Sequence, residues 1–261
     1  MLMPLCVFLM AAQPAHKTVN DLYQQGAESF RLGRIDDAIT AFEEAVRLAP
    51  ADARAWKGLG VAHAARGNYK SAEQPLRKAC EIDPRDPDVC YYLGLASYNL
   101  GRYENATDAY NKALKAPGDA GRARAGLGLV LEALGKADAG ERELREATKI
   151  ANGKSLPDSD PRVELGAFLF RQGRLEEAAR VLEQAAGARP DSPRAQFELA
   201  RILVQKESLH EAVERLKQAL RLDPAYGAAH LLLGRVYFRL GRAAEGERET
   251  QAGQALSVPK P

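Results

Sequence analysis

Side chains that could carry out chemistry are few in this chain and do not cluster. The four histidines, His16, His63, His210 and His230, are the groups whose ordinary pKa suits proton transfer near neutral pH. Cys6, Cys80 and Cys90 are the candidate thiol nucleophiles or soft metal ligands. None of these residues has a partner at catalytic or ligating spacing: HExxH, GxSxG, CxxC and the phosphate-binding glycine loop are all missing from the sequence. Asp and Glu are numerous, but they alternate with Arg and Lys at i,i+3 and i,i+4. Glu43, Glu44 and Arg47, or Glu214, Arg215 and Lys217, show the pattern of a solvated helix face. The sequence therefore predicts a protein that is not an enzyme and takes no cofactor and no metal.

Charge does not point to a polyanionic partner either. The formal net charge of 261 residues is +2 while 28% of them are charged, so the two signs balance and no strong nucleic-acid or membrane field is expected. No apolar run approaches the roughly 20 residues of a membrane-spanning helix.

What the sequence does contain is a period. Small residues recur at Gly26, Gly60, Gly94 and Gly128, each 34 apart, and after a step of 38 they resume at Gly166, Ala200 and Gly234. A second series runs Gly33, Gly67, Gly101, Gly135, Gly173 and Gly241, broken only by Glu207. A third is Ala38, Ala72, Ala106, Gly140, Ala178, Ala212 and Gly246, and a fourth is Ala45, Ala79, Ala113, Ala147, Ala185, Ala219 and Gly253. Two antiparallel helices per repeat account for the residue types. Small side chains at Gly60 and Ala72 allow close approach, while Trp56, Leu59, Tyr69 and Leu76 fill the space around the contact. Gly67 and its equivalents suit a turn with positive φ, and Pro50, Pro84, Pro190 and Pro224 stop the second helix. Both His63 and His230 fall on core positions, which gives them packing roles.

This pattern resembles the tetratricopeptide repeat family. The best match is residues 53–86, where Trp56, Leu59, Gly60, Tyr69, Ala72, Leu76, Ala79 and Pro84 occupy motif positions and His63 replaces a tyrosine. The resemblance implies an all-α, right-handed superhelical solenoid of seven antiparallel helix pairs, with repeats 1–4 at 19–154 and repeats 5–7 at 159–260. Residues 155–158 are read as an inserted linker, Pro75 as a bend inside a helix, and the last helix as a polar C-terminal cap.

In this family the first helix of each pair lines a concave groove that takes a protein or peptide. Its inward positions here carry Tyr23, Phe30, Tyr91, Tyr98, Phe170, Phe197 and Phe238. They also carry nine cations, Arg31, Arg54, Lys57, Arg122, Arg171, Arg194, Arg201, Arg235 and Arg239, against the acids Asp88, Glu132 and Asp160. Aromatics interleaved with arginine have the composition of a binding hot spot. The expected partner is a protein or peptide segment with aromatic or aliphatic anchors and acidic flanks, and no nucleic acid. The clamp by which some family members hold a C-terminal carboxylate is not reproduced, because Val61 stands where its asparagine belongs. The alternatives are that these aromatics pack between helices with the arginines solvated, or that the chain is a non-catalytic accessory subunit of a larger envelope or enzyme complex.

Residues 1–15 hold no charged side chain and end in small residues. They read as a secretory signal that directs the mature chain to the periplasm or outside the cell, without stable membrane insertion; the alternative is a cytoplasmic protein. Cys80 and Cys90 lie across a short link between two helices, where a disulfide could close, but both positions are normally apolar in this repeat. Free core thiols are therefore the favoured expectation.

Overall fold

The computed structural model describes residues 17–116, 120–150 and 160–257, and among these every regular element is an α-helix. The expectations for residues 1–15 and 155–158 fall outside the described residues. The chain divides into two compact units, Met1–Asp83 and Pro84–Pro261. The first contains α1 (Val19–Arg31), α2 (Ile35–Leu48), α3 (Ala53–Ala65) and α4 (Tyr69–Ile82). The second opens with α5 (Pro87–Asn99), α6 (Tyr103–Lys115), α7 (Ala120–Ala133), α8 (Ala137–Ile150) and α9 (Pro161–Arg171). It continues with α10 (Leu175–Ala188), α11 (Pro193–Gln205), α12 (Leu209–Leu222), α13 (Gly227–Arg239) and α14 (Ala243–Ser257). Among the described residues, fourteen helices in consecutive pairs give seven hairpins on the repeat the sequence sets out.

Local chemistry fixes where the helices start. Asp52, Asp86, Asp160 and Ser192 sit at N-caps, and each side chain accepts a hydrogen bond from a backbone N–H two or three residues on. Pro87, Pro161 and Pro193 follow three of these caps at the first helical position, where a missing N–H costs nothing. Between the helices of a pair the chain turns through a left-handed residue. Gly67 has φ +80°, and the N–H of Asn68 donates to the His63 carbonyl at 2.9 Å, closing the end of α3. Pro75 lies inside α4, which runs through it without a break.

In most hairpins one large side chain plugs the space that small residues open. In the first unit a Cβ at Gly26 or Gly58 would come within 2.7 or 2.5 Å of the Phe42 ring, and one at Gly60 within 2.5 Å of Leu76 Cγ. Tyr110 plays the same part in the second unit against Gly94 and Gly126, as does Leu182 against Gly166. Around these plugs, Leu22, Ala38, Phe42, Ala45, Ala55 and Leu59 form the first unit's core. In the second unit one cluster centres on Leu144, Phe168, Leu169 and Leu182, and another on Leu216, Leu233 and Val236. The last helix, α14, buries only Gly246 and Gly253 among its described residues, and the plug position holds Thr250.

Two of the histidines sit at these core positions in different surroundings. His230 occupies the repeat position of Trp56. The Trp56 Nε1–H donates to the Pro50 carbonyl at 2.8 Å, and His230 Nε2 lies 3.1 Å from the Pro224 carbonyl. His230 Nδ1 meets Glu249 on α14 at 2.7 Å. His63 is half-buried, and burial pulls its pKa below the usual histidine value. The free-thiol expectation is corrected. Cys80 and Cys90 are both buried and both disulfide-bonded. A half-cystine is as apolar as the residue it replaces, so an apolar position does not discriminate between the two states.

Candidate protein-binding face

In the first unit the residues expected to line the groove are engaged partly across helices and partly within their own. Tyr23 on α1 packs against Phe42 with ring centroids 5.9 Å apart, and the Arg54 guanidinium lies 5.3 Å from the Tyr23 ring. Phe30 also packs on this core. Arg31 takes both oxygens of Glu28 at 2.8 and 2.6 Å, and Arg54 pairs with the cap residue Asp52 at 2.8 Å. Lys57 is half-buried and engaged with a neighbour.

The second unit brings most of the expected residues together. Arg122 at the start of α7 lies over the Tyr91 ring of α5 at 4.1 Å and within 5.6 Å of the Tyr92 ring, and it reaches Asp88 at 3.4 Å. Tyr91 in turn packs on the buried Tyr110, centroids 5.9 Å apart, so the same ring belongs to wall and core. Burial raises the Tyr91 and Tyr98 phenols above their ordinary pKa and Tyr110 well above it, which keeps all three neutral hydrogen-bonding groups. Further along, Arg171 on α9 takes Glu132 of α7 in a two-point contact at 2.9 and 2.6 Å. Arg194 on α11 does the same to Glu164 of α9, its second contact at 2.8 Å. Arg201 lies 4.3 Å from the Phe170 ring and pairs with Glu198 at 2.7 Å. Phe197 packs on Tyr226 with centroids 5.0 Å apart. On α13, Phe238 is 46% exposed, Arg239 pairs with Glu207, and Arg235 is exposed with no hydrogen bond or ion pair among the described residues.

These contacts amend the electrostatics expected from sequence. Carboxylates outside the inward positions, Glu28, Asp52, Glu164, Glu198 and Glu207, lie against the groove cations and offset them. Asp160, expected as a groove acid, is 2% exposed and is taken up by capping α9 and by Arg162 at 2.6 Å. The sequence reading missed Glu164 in particular. Its carboxylate pairs with Arg194, and its charge adds, well behind burial, to the raised pKa of Tyr91, Tyr98 and Tyr110. Glu198 and Arg201 were legible as an i,i+3 pair; Glu164 and Arg194, 30 residues apart, were not. Among the described residues no group of three or more His, Cys, Asp or Glu side chains is placed to hold a metal ion.

Helical hairpins joined by left-handed turns, with small residues at the crossings, define a helical-repeat protein. Comparison with known families identifies which one. Models described as tetratricopeptide repeat match residues 23–87 and 168–214 and residues 87–116, and one described as TPR repeat matches 200–241. The chain belongs to the tetratricopeptide repeat family, whose members generally mediate protein–protein interaction and assembly and are generally non-catalytic. It is similar to Superkiller protein 3 of Schizosaccharomyces pombe, 33% identical over 99 residues that cover 38% of this chain and 7% of that protein. The TPR repeat-containing thioredoxin TTL4 of Arabidopsis thaliana is 31% identical over 49% of this chain and 17% of its own length. Cytochrome c-type biogenesis protein CycH of Rhizobium meliloti is 36% identical over 34% of this chain and 25% of its own. The chain thus spans a quarter or less of these relatives. Among solved structures, a tetratricopeptide repeat protein from Parabacteroides merdae has TM-score 0.68 at 15% identity, over 93% of this chain and 94% of that one. Pseudomonas aeruginosa pilF has TM-score 0.61 at 20% identity, over 91% and 96%. At such identities the likeness is one of fold.

Proposed function

We propose that this chain is a non-catalytic binding module whose first helices in the Pro84–Pro261 unit hold an extended or helical segment of another protein. One observation carries the reading. Successive first helices are joined by aromatic and arginine side chains into a single wall, with Arg122 over Tyr91 and Arg201 over Phe170. Rings and guanidinium planes in that arrangement offer rigid contact area and directed hydrogen bonds, the makings of an interaction hot spot. With most cations already matched by carboxylates, the wall recognises shape and hydrogen-bonding groups along most of its length. Acidic flanks of the ligand are taken at α13, where Arg235 stands exposed. The balance of charge disfavours nucleic acid as the ligand.

The second reading, an accessory subunit of a larger complex, is favoured by the thioredoxin TTL4 and by CycH, in which the similar segment is only 17% and 25% of the protein. Recovery of the chain with its partners separates the two. A direct ligand comes down alone, and an accessory role yields a catalytic subunit in fixed ratio. Replacing Arg201, Arg235 and Arg239 with Glu in a variant that keeps its helical circular dichroism tests the face. Unchanged affinity and unchanged salt dependence for that partner would overturn it.

Export to an oxidising compartment is the matching proposal for localisation. It is supported by the uncharged apolar run at 1–15 and by disulfide-bonded Cys80 and Cys90. Among the described residues no helix is long and apolar enough to cross a membrane. N-terminal sequencing of the native protein tests export: a start between residues 11 and 16 supports it, and an intact Met1 in a cytosolic fraction ends it.

A further inference from the structure

Six of the seven hairpin turns place glycine at the left-handed position, with φ between +69° and +80°. The seventh places Glu207 there, at φ +60°. An L side chain is disfavoured in that conformation, so the glutamate is held against a backbone cost that its repeats avoid. Its carboxylate goes to one partner, Arg239 on α13, 32 residues later. That pair is open to solvent, with the Glu207 side chain 73% exposed and Arg239 40% exposed. An exposed pair returns little stability, so the contact does not explain the glutamate as a staple.

The surroundings of Arg239 suggest another role. Arg235 lies one turn earlier on the same face of α13 and is exposed, with no hydrogen bond or ion pair among the described residues. Phe238 on the same helix lies with its ring against Gly246 of α14 and is still 46% exposed, the only aromatic ring among the exposed large hydrophobics of the described residues. Three other arginines of the wall are more covered. Arg194 lies beneath Glu164 at 33% exposure, Arg122 is 17% exposed against two tyrosines, and Arg201 is stacked on Phe170. Arg171 is as exposed as Arg239, at 40%, but its partner Glu132 is only 18% exposed. Among the described groove pairs of the Pro84–Pro261 unit, Glu207 is the carboxylate most open to replacement by water or by a competing carboxylate.

We propose that Arg235, Phe238 and Arg239 form a subsite for a carboxylate next to a large apolar side chain of the bound segment, and that the Glu207 carboxylate occupies this subsite in the free protein and is displaced on binding. The inference rests on the reading of the first helices as the binding face. It commits the ligand to an acidic and apolar sequence at this end of the face. Because one exposed pair is exchanged for another, the exchange itself adds little affinity, and selectivity comes from Arg235 and Phe238.

Two measurements test it. The first needs no ligand: the rate at which phenylglyoxal modifies Arg239, followed by peptide mass spectrometry. Glu207→Gln and Glu207→Gly should both raise that rate, while the rate at Arg171, which is held by Glu132, stays the same. The second uses a fluorescein-labelled, C-terminally amidated peptide of alternating Glu and Phe, with binding read by fluorescence anisotropy. Both Glu207 variants should tighten binding about threefold to fivefold at low salt, the worth of an exposed pair. Glu207→Gly should also raise Tm by roughly 2–4 °C by relieving the left-handed backbone, and Glu207→Gln should not. That separates displacement from stabilisation. Unchanged Arg239 reactivity, or equal peptide affinity in wild type and both variants, overturns the proposal. So does failure of the peptide to bind either variant. None of these results touches the binding face as a whole, which is tested with its own partner by the triple arginine variant.

Discussion

Arg171 on α9 holds both carboxylate oxygens of Glu132 on α7, at 2.9 and 2.6 Å, across 39 residues of sequence. The fork geometry is what arginine offers and lysine lacks. Replacing Arg171 with Ala should cost about 1 kcal/mol in urea unfolding, a figure kept small because the Arg171 side chain is 40% exposed. Arg171→Lys should recover less than half of that loss, since one ammonium cannot make the two-point contact. A lysine variant as stable as wild type would show that only the charge matters there.

Close packing at the crossings makes a sharper prediction. A Cβ at Gly128 would lie 2.9 Å from the backbone oxygen of Gly140, and one at Gly140 would lie 2.7 Å from the Gly128 oxygen. Backbone cannot swing aside as a side chain can, so α7 and α8 would have to separate. Gly128→Ala should destabilise the Pro84–Pro261 unit by about 2–3 kcal/mol. Gly33 has open space around it and φ +71°, so Gly33→Ala meets only the backbone cost, about 1 kcal/mol. Denaturant melts of the two variants compare these costs, and equal losses would mean that contact at the crossing is not what selects glycine.

The fold was legible because its determinants repeat. A small residue recurs at the Gly60 position in all seven repeats and glycine at the Gly67 position in six, and a pattern repeated so often reports packing that one copy could not. The break at Glu207 was visible too, but not that the turn keeps its left-handed form around a glutamate. The face was legible in part. Counting inward positions found Arg171, Arg194 and Arg239, but their partners Glu132, Glu164 and Glu207 lie 39, 30 and 32 residues away. Which carboxylate meets which guanidinium depends on how far one helix is displaced along the next, and that is a tertiary quantity. Asp160 shows the converse. It occupies an inward position by count, yet a helix start needed it as a cap.

The disulfide state of the cysteines is directly measurable. Iodoacetamide added to folded protein without reductant should leave Cys80 and Cys90 unlabelled, and prior reduction should add a label at each. Both are buried, so the unreduced sample must also be labelled after denaturation. Labelling at both sites in denaturant alone would restore the free-thiol reading and remove one support for export.

Acid sensitivity should centre on a ring of four charges joining α8 to α10. Glu141 accepts from Arg145 at 2.7 Å and from Arg174 at 2.7 Å, and Glu177 accepts from Arg145 at 2.5 Å and pairs with Arg174. Burial alone would raise the Glu141 pKa, but the hydrogen bonds from Arg174 and then Arg145 outweigh it and hold it below the ordinary 4.5. Glu177 is also held below 4.5, chiefly by the hydrogen bond from Arg145. In the unfolded chain both carboxyls take up protons near pH 4.5, while in the folded chain they do so only at lower pH. The unfolded state therefore binds more protons in that interval, and stability rises with pH across it. The ring's contribution is fully present above pH 4.5 and is lost as pH falls through the two lowered values. Glu141→Gln with Glu177→Gln should cost about 1 kcal/mol at pH 7, since Arg145 and Arg174 are each 40% exposed. The same pair of changes should flatten the decline below pH 4.5, so that variant and wild type converge in acid. Urea midpoints at pH 7, 5 and 3 read both effects, and parallel curves with no convergence would show that the ring does not set the acid limit.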